Sequence, residues 1–235
     1  MQLFYDADLN SNMTRFSFDK TESRHIVKSL RKKEGDSIII TNGKGELFTS
    51  VVISANDKKC SVQITEVTKH PKPWNYYLHM AISPTKLNDR FEWFLEKATE
   101  IGIDEITPIL CDHSERKVVK IERMEKIIQA AAKQSLKYHF PKLNNPIKLR
   151  DFLNLDQRGS LFIAHCEKSE RKPLKQNIIS KEVITIMIGP EGDFSTKEIE
   201  LSKQCNYIAV SLGRSRLRTE TAGVVAAHTV ALMND

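Results

Sequence analysis

The stretch Val183-Ile184-Thr185-Ile186-Met187-Ile188-Gly189-Pro190-Glu191-Gly192-Asp193-Phe194-Ser195-Thr196-Lys197-Glu198 decides the fold. Its first six residues are an apolar run with little alternation, the pattern of a strand buried on both faces of a parallel sheet. Gly189 to Gly192 interrupt the run, and Ser195 with Glu198 three residues on is the capping-box signature of a helix start. Strand, glycine-bearing loop and helix in that order form the repeating unit of an α/β domain.

A second such unit follows. Tyr207-Ile208-Ala209-Val210-Ser211-Leu212 reads as a strand, Gly213 permits a sharp turn, and Ala222, Val225, Ala226, Val230 and Met233 carry helical periodicity. Thr219 is the expected N-cap of that helix. The intervening loop carries Arg214, Arg216 and Arg218. Taken alone, these arginines fit either a solvated basic turn or a site where a helix start and guanidinium groups meet an anionic or electron-rich ligand. Both loops leave the carboxyl ends of strands, where open α/β sheets keep their ligands.

The motifs Ile188-Gly189-Pro190-Glu191-Gly192, Ser211-Leu212-Gly213 and Leu217-Arg218-Thr219-Glu220-Thr221-Ala222, in this order and each after a strand, resemble the ribosomal RNA small subunit methyltransferase E (RsmE) family of the SPOUT superfamily. The resemblance implies an α/β fold: a SPOUT-type C-terminal trefoil-knot domain with a mostly parallel sheet, and a small N-terminal PUA-like β-barrel that grips RNA. It further implies S-adenosyl-L-methionine as cofactor, methylation of N3 of a uridine in 16S ribosomal RNA of the small subunit, and a homodimer. The sequence departs from the family pattern in places. Asp193 stands where a second glycine is usual, Ser215-Arg216 replaces an Arg-Ile pair, Lys137 replaces an arginine after Gln134-Ser135-Leu136, and no basic residue follows Met1.

By the same resemblance, three loops enclose the cofactor. Ala164, His165 and Glu167 belong to the first, Ile188, Gly189, Pro190 and Gly192 to the second, and Leu212, Gly213, Leu217, Thr219 and Thr221 to the third. Arg218 is the first choice for stabilising a uracil anion as its N3 proton leaves. Glu191 and Glu220 are candidates either for accepting that proton or for holding Arg218. RNA contacts are expected from Arg24, His25, Lys28, Arg31 and Lys32 on an N-terminal helix, and from Arg116, Lys137, Arg214 and Arg216. No metal is expected.

The rest of the chain is consistent with two domains. Over 235 residues, 36 Lys and Arg face 30 Asp and Glu, a formal net charge of +6 that favours a polyanionic partner. Cys60, Cys111, Cys166 and Cys205 are isolated, with no Cys-x-x-Cys pair to suggest zinc or a disulfide framework. No apolar stretch has membrane length and no signal-peptide pattern opens the chain, so a cytoplasmic location is expected. A phosphate-binding Gly-x-x-x-x-Gly-Lys loop is absent, which disfavours a nucleotide hydrolase.

Residues 1–70 read as a β-rich domain with a short helix over Thr21–Leu30 and a hairpin around Asn42-Gly43-Lys44-Gly45. Lys69-His70-Pro71-Lys72-Pro73 reads as a linker. Residues 74–235 alternate strands with longer helices. A helix over 86–101 is expected to bury Leu87, Phe91, Phe94, Leu95, Ala98 and Ile101, with Trp93 also a packing residue. One over 120–137 is expected to bury Met124, Ile127, Ile128 and Ala131. Two other readings stay open: a related enzyme acting on transfer RNA, and a non-catalytic RNA-binding protein. The N-terminal barrel favours ribosomal over transfer RNA, and the intact Gly-Pro-Glu-Gly and Leu-Arg-Thr-Glu-Thr motifs speak against a non-catalytic protein that has lost cofactor binding.

Overall fold

The computed structural model describes residues 2–156, 158–167 and 171–235. The chain divides into two compact units: Met1–Lys72 with Ala132–Phe140, and Pro73–Ala131 with Pro141–Asp235. Residues 132–140, placed by the sequence reading inside a continuous 74–235 domain, thus cluster with the N-terminal unit.

The N-terminal unit is built on β1 (Leu3–Tyr5), β2 (Arg15–Ser17), β3 (Ser37–Thr41), β4 (Glu46–Ser54) and β5 (Ser61–Lys69). They form one sheet in the order β1-β3-β4-β5-β2. Among the described residues no pairing joins the edge strands β1 and β2, so the sheet is a curled half-barrel. Along β4 burial alternates, putting Phe48 and Val52 into a core with Phe4, Ile26, Ile38, Ile40 and Val62. The short helix α1 (Lys20–Arg24) runs directly into a π-turn at His25–Ser29.

The β3–β4 hairpin turns at Gly43 and Gly45, with φ of 71° and 88°. It is closed by residues 138–140. Gly45 N–H donates to the Tyr138 carbonyl at 2.8 Å, Phe140 N–H donates to the Gly43 carbonyl at 2.9 Å, and the Phe140 ring stacks on Tyr5 at 4.5 Å. A Cβ on residue 45 would lie 2.5 Å from the His139 ring, so this closure requires glycine.

The second unit contains β6 (Tyr77–Ile82), α2 (Asn88–Ile101), β7 (Glu105–Leu110), most of α3 (Ile121–Gln134), β8 (Lys142–Leu143), β9 (Ile147–Lys148), α4 (Leu149–Leu153), β10 (Ser160–Ala164), β11 (Lys172–Pro173), β12 (Val183–Ile188), α5 (Thr196–Gln204), β13 (Ile208–Ser211) and α6 (Thr219–Leu232). Every pairing in its sheet is parallel, in the order β11-β13-β10-β12-β6-β7-β8, with β9 also on β7.

Helices cover both faces, which is why the strands are apolar on both. Leu78, Met80, Ile82, Ile184, Ile186 and Ile188 face α2 and α6. Ala81, Ile109, Ile163 and Met187 face Phe152 of α4 and Ile199 of α5. At about 25 cal/mol per Å² of apolar surface, these two layers supply the dominant favourable term for this unit.

Three expectations for side-chain burial need correction. Leu87 is 48% exposed because α2 begins one residue later, and Trp93 is 40% exposed because it points away from the Phe91–Phe94–Leu95–Ala98 stripe. Met233 is 42% exposed, since α6 ends at Leu232 and buries Gly223, Ala226, Ala227 and Val230 instead.

Candidate active site

Register places the loops. Ala164 of β10 pairs with Ile188 of β12 on one side and with Val210 of β13 on the other, so three strands end at one level. The loops that follow, beginning at His165, Gly189 and Leu212, therefore lie side by side. Between them are two adjoining cavities of about 360 and 70 Å³ that share Ala164, Cys166, Leu217 and Ala222.

The larger cavity is lined by Ile188, Gly189, Pro190, Glu191, Arg216, Arg218 and Thr219, among others, and the smaller by His165, Arg171, Leu212, Gly213 and Ser215. Most of the site residues named from the sequence are thus brought together. Some are not among the lining residues. Gly192 packs toward His113, Glu167 accepts a hydrogen bond from Thr196 Oγ1 at 3.3 Å, Thr221 is half-buried in α6, and Arg214 is exposed beside the cavity loop.

The loops are cross-braced. Asp193 takes φ of 65°, the left-handed region, and its Oδ2 accepts the Cys166 N–H at 2.7 Å. The residue that replaces the usual glycine therefore keeps the backbone shape and adds a tether. His113 Nδ1 donates to the Gly192 and Asp193 carbonyls at 3.2 and 3.0 Å, which fixes its proton on Nδ1 because both partners only accept. Thr219 Oγ1 donates to the Gly189 carbonyl at 3.0 Å. That bond corrects the expected cap: Arg218 is the N-cap residue of α6, with no side-chain capping bond, because the Thr219 hydroxyl is used across the site.

The charged candidates differ in what they touch. Glu191 Oε1 accepts the Lys86 N–H at 2.9 Å, while Arg116 donates to the Thr85 and Lys86 carbonyls, so these two side chains clamp one loop from opposite directions. Glu220 is buried in the first turn of α6 and is not a lining residue, with Oε1 3.9 Å from Arg90 Nε and Oε2 without a hydrogen-bond partner among the described residues. Arg171 donates to the His165 carbonyl. His165 is 4% exposed, and among the described residues neither ring nitrogen has a hydrogen-bond partner. Burial pushes its pKa down from 6.5, Arg171 and Lys203 push the same way, and Asp193 and Glu167 oppose them.

In the N-terminal unit, Arg24, His25 and Lys28 line a shallow hollow with Lys20, though Lys28 pairs with Asp57 at 3.6 Å and His25 with Glu22 at 3.3 Å. Lys32 donates to the Ser37 carbonyl, and Arg31 sits at φ 55° just past the π-turn. Lys137 lies in the 132–140 segment of that unit, where burial pushes its ammonium below the ordinary lysine value.

Sequence reasoning missed Cys166, Arg171 and Ser215 as lining residues. The first two follow β10 with no glycine or motif to mark them, while Ser215 lay within a motif but was read only as a departure from it.

Family models for an RNA methyltransferase domain and an RNA methyltransferase PUA domain match residues 72–231 and 18–65. With a parallel sheet whose adjoining strand ends enclose a cavity, they define an RNA methyltransferase carrying a PUA domain. The ribosomal RNA small subunit methyltransferase E of Rickettsia conorii is 31% identical over 212 residues, covering 89% of this chain and 86% of the relative. That of Bacillus subtilis is 28% identical over 239 residues, covering 94% and 91%. The chain belongs to the ribosomal RNA small subunit methyltransferase E family.

Solved structures agree. A probable rRNA-methyltransferase from Porphyromonas gingivalis is 37% identical with a TM-score of 0.89, covering 99% of each chain. A ribosomal RNA small subunit methyltransferase E from Neisseria gonorrhoeae, bound to S-adenosyl methionine, is 25% identical with a TM-score of 0.83, covering 100% of this chain and 98% of that one.

Proposed function

We propose that this chain methylates N3 of a uridine in 16S ribosomal RNA of the small subunit, with S-adenosyl-L-methionine as donor. The observation that carries the reading is the cavity enclosed by the three loops, with the buried His165 ring, unpartnered among the described residues, beside it. A buried imidazole with both nitrogens unmet is costly unless something else meets them, and the nitrogen- and hydroxyl-rich adenosine half of the cofactor suits that need. Gly213, with open space where a Cβ would be, leaves main-chain groups accessible on the same side. The donor supplies an electrophilic methyl group on a sulfonium.

The protein's share is placement and charge. His165, Leu212, Gly213 and Leu217 hold the donor, and Arg218 and Arg216 border the larger cavity, where an unpaired base enters. Uridine N3 bears a proton at neutral pH, so the base must lose it to become a nucleophile. The Arg218 guanidinium stabilises the negative charge that develops on the ring. The N3 proton passes to a carboxylate of the site: Glu191, which lines the larger cavity and whose Oε1 also accepts the Lys86 N–H, or Glu220, buried in the first turn of α6 with Oε2 unpartnered among the described residues.

The basic hollow at Lys20, Arg24, His25 and Lys28 contacts RNA phosphates, the protein works in the cytoplasm, and a second copy of the chain completes a homodimer. The test is transfer of labelled methyl from S-adenosylmethionine to small-subunit rRNA, with mass-spectrometric mapping of the product. A 3-methyluridine is expected, and Arg218→Ala should lower kcat by about 100-fold while leaving donor affinity unchanged. Absence of any methylated uridine with the wild-type protein would overturn the reading.

A further inference from the structure

A third cavity, of about 470 Å³, opens on the second unit between the end of β7, α4 and the start of α5. Its floor is apolar: Leu110, Leu149, Leu153 and Leu201. Lys117, Lys148, Arg150 and Lys197 line it as well, and all four are exposed. Some surface lysines have carboxylates, as Lys86 has Glu115 at 2.7 Å and Lys142 has Glu105 at 3.4 Å. Among the described residues none of these four cations makes an ion pair.

The two carboxylates in the cavity wall are already engaged. Asp112 accepts the Ser195 hydroxyl at 2.6 Å, and Glu198 accepts the N–H groups of Asp112 and Ser195 at 2.8 and 2.9 Å. Burial pushes the Cys111 thiol far up, so this is no site for a thiolate nucleophile. These bonds fix Asp112 against the start of α5, and the next residue, His113, donates from Nδ1 to the Gly192 and Asp193 carbonyls. The segment Asp112–His113 thus links this cavity to the loop that lines the candidate methyl-transfer site.

An apolar floor of nucleotide size rimmed by unpaired cations matches one chemistry: a base or ribose against the leucines and phosphates at the rim. We propose that this cavity is a second RNA subsite, which seats a nucleotide flanking the target uridine and so sets which residue reaches Arg218. The inference rests on ribosomal RNA being the substrate and adds where the flanking strand is held.

The test compares the full chain with the triple variant Lys148→Glu, Arg150→Glu, Lys197→Glu, using a small-subunit rRNA transcript. Filter binding at several salt concentrations, methyl transfer, and calorimetry with S-adenosylmethionine are run on both. The variant should bind the transcript about 10-fold or more weakly, with a salt slope shallower by about 2, and bind the donor as the wild type does. Crosslinks from 4-thiouridine-substituted transcript to the wild type should fall within residues 148–153 or 197–201; should the variant lose donor binding through misfolding, this mapping alone decides. Equal transcript affinity and salt slope in a variant that still binds donor, or crosslinks confined to other segments, would overturn the subsite even if the wild type methylates normally. Loss of transcript affinity in the variant alongside a wild type that transfers no methyl would support the subsite while refuting the proposed reaction.

Discussion

Asp193 Oδ2 accepts the main-chain N–H of Cys166 at 2.7 Å, so the loop after β12 grips the loop after β10. The same residue sits at φ 65°, a conformation that costs most side chains roughly 1–2 kcal/mol and asparagine or aspartate less. Asp193→Gly relieves that cost but removes a charge-assisted bond of about 1.5–3 kcal/mol. The bond outweighs the strain, so the expected result is a thermal midpoint lower by about 2–4 °C with S-adenosylmethionine affinity down about 10-fold. Asp193→Ala loses the bond and keeps the strain, and its midpoint should fall by about 5 °C or more. Differential scanning calorimetry and titration calorimetry distinguish the two.

Thr219 is buried and spends its hydroxyl on the Gly189 carbonyl. Thr219→Val preserves shape and β-branching while removing the donor, at a cost of about 1–3 kcal/mol. A lower urea midpoint with an unchanged slope is expected, together with weaker donor binding. Thr219→Ser should recover most of both, because it restores the hydroxyl.

Two glycines separate binding from stability. Gly213 has φ of 137° with nothing within 4 Å of a built Cβ, so Gly213→Ala strains only the loop, by roughly 1–2 kcal/mol. Gly223, inside α6, would place a Cβ 2.6 Å from the Phe94 ring and 2.8 Å from Ile82 Cδ1. Gly223→Ala overpacks the α2–α6 contact by about 1–3 kcal/mol, only partly offset by the better helix propensity of alanine. Gly213→Ala should chiefly reduce donor affinity, and Gly223→Ala should chiefly lower the thermal midpoint. Equal effects of both variants on both measurements would contradict this division.

His165 gives the site a pH dependence. Its folded pKa lies below the ordinary 6.5, so the unfolded chain takes up this proton more readily than the folded one. Stability is therefore fully present above about pH 6.5 and declines as pH falls from there toward the lowered folded value. His165→Gln should flatten that part of the stability curve. An unchanged pH profile in the variant would show that His165 does not titrate in this way.

Which elements could be read from the sequence depended on their length. β12 and α5 were legible because an unbroken apolar run and a Ser195–Glu198 capping box are local signals, and both bonds of that box are present. The β3–β4 hairpin was legible from Asn42 to Gly45 for the same reason. β8, β9 and β11 have two residues each and α4 has five, too few for any period to emerge. In the site, glycines and arginines announced two loops. The tether from Asp193 to Cys166 spans 27 residues, and no local pattern encodes it. Thr219 misled because its residue type suits a cap, whereas a partner 30 residues away in sequence claims its hydroxyl.

The closure of the Gly43–Gly45 turn by residues 138–140 has a consequence for biosynthesis. While the chain is still emerging from the ribosome, the first 72 residues hold every strand of their sheet but lack the segment that closes its Gly43–Gly45 turn, so this closure waits until residue 140 has left the exit tunnel. Severing the gene at the proline-rich linker would thus yield an N-terminal fragment whose turn stays open.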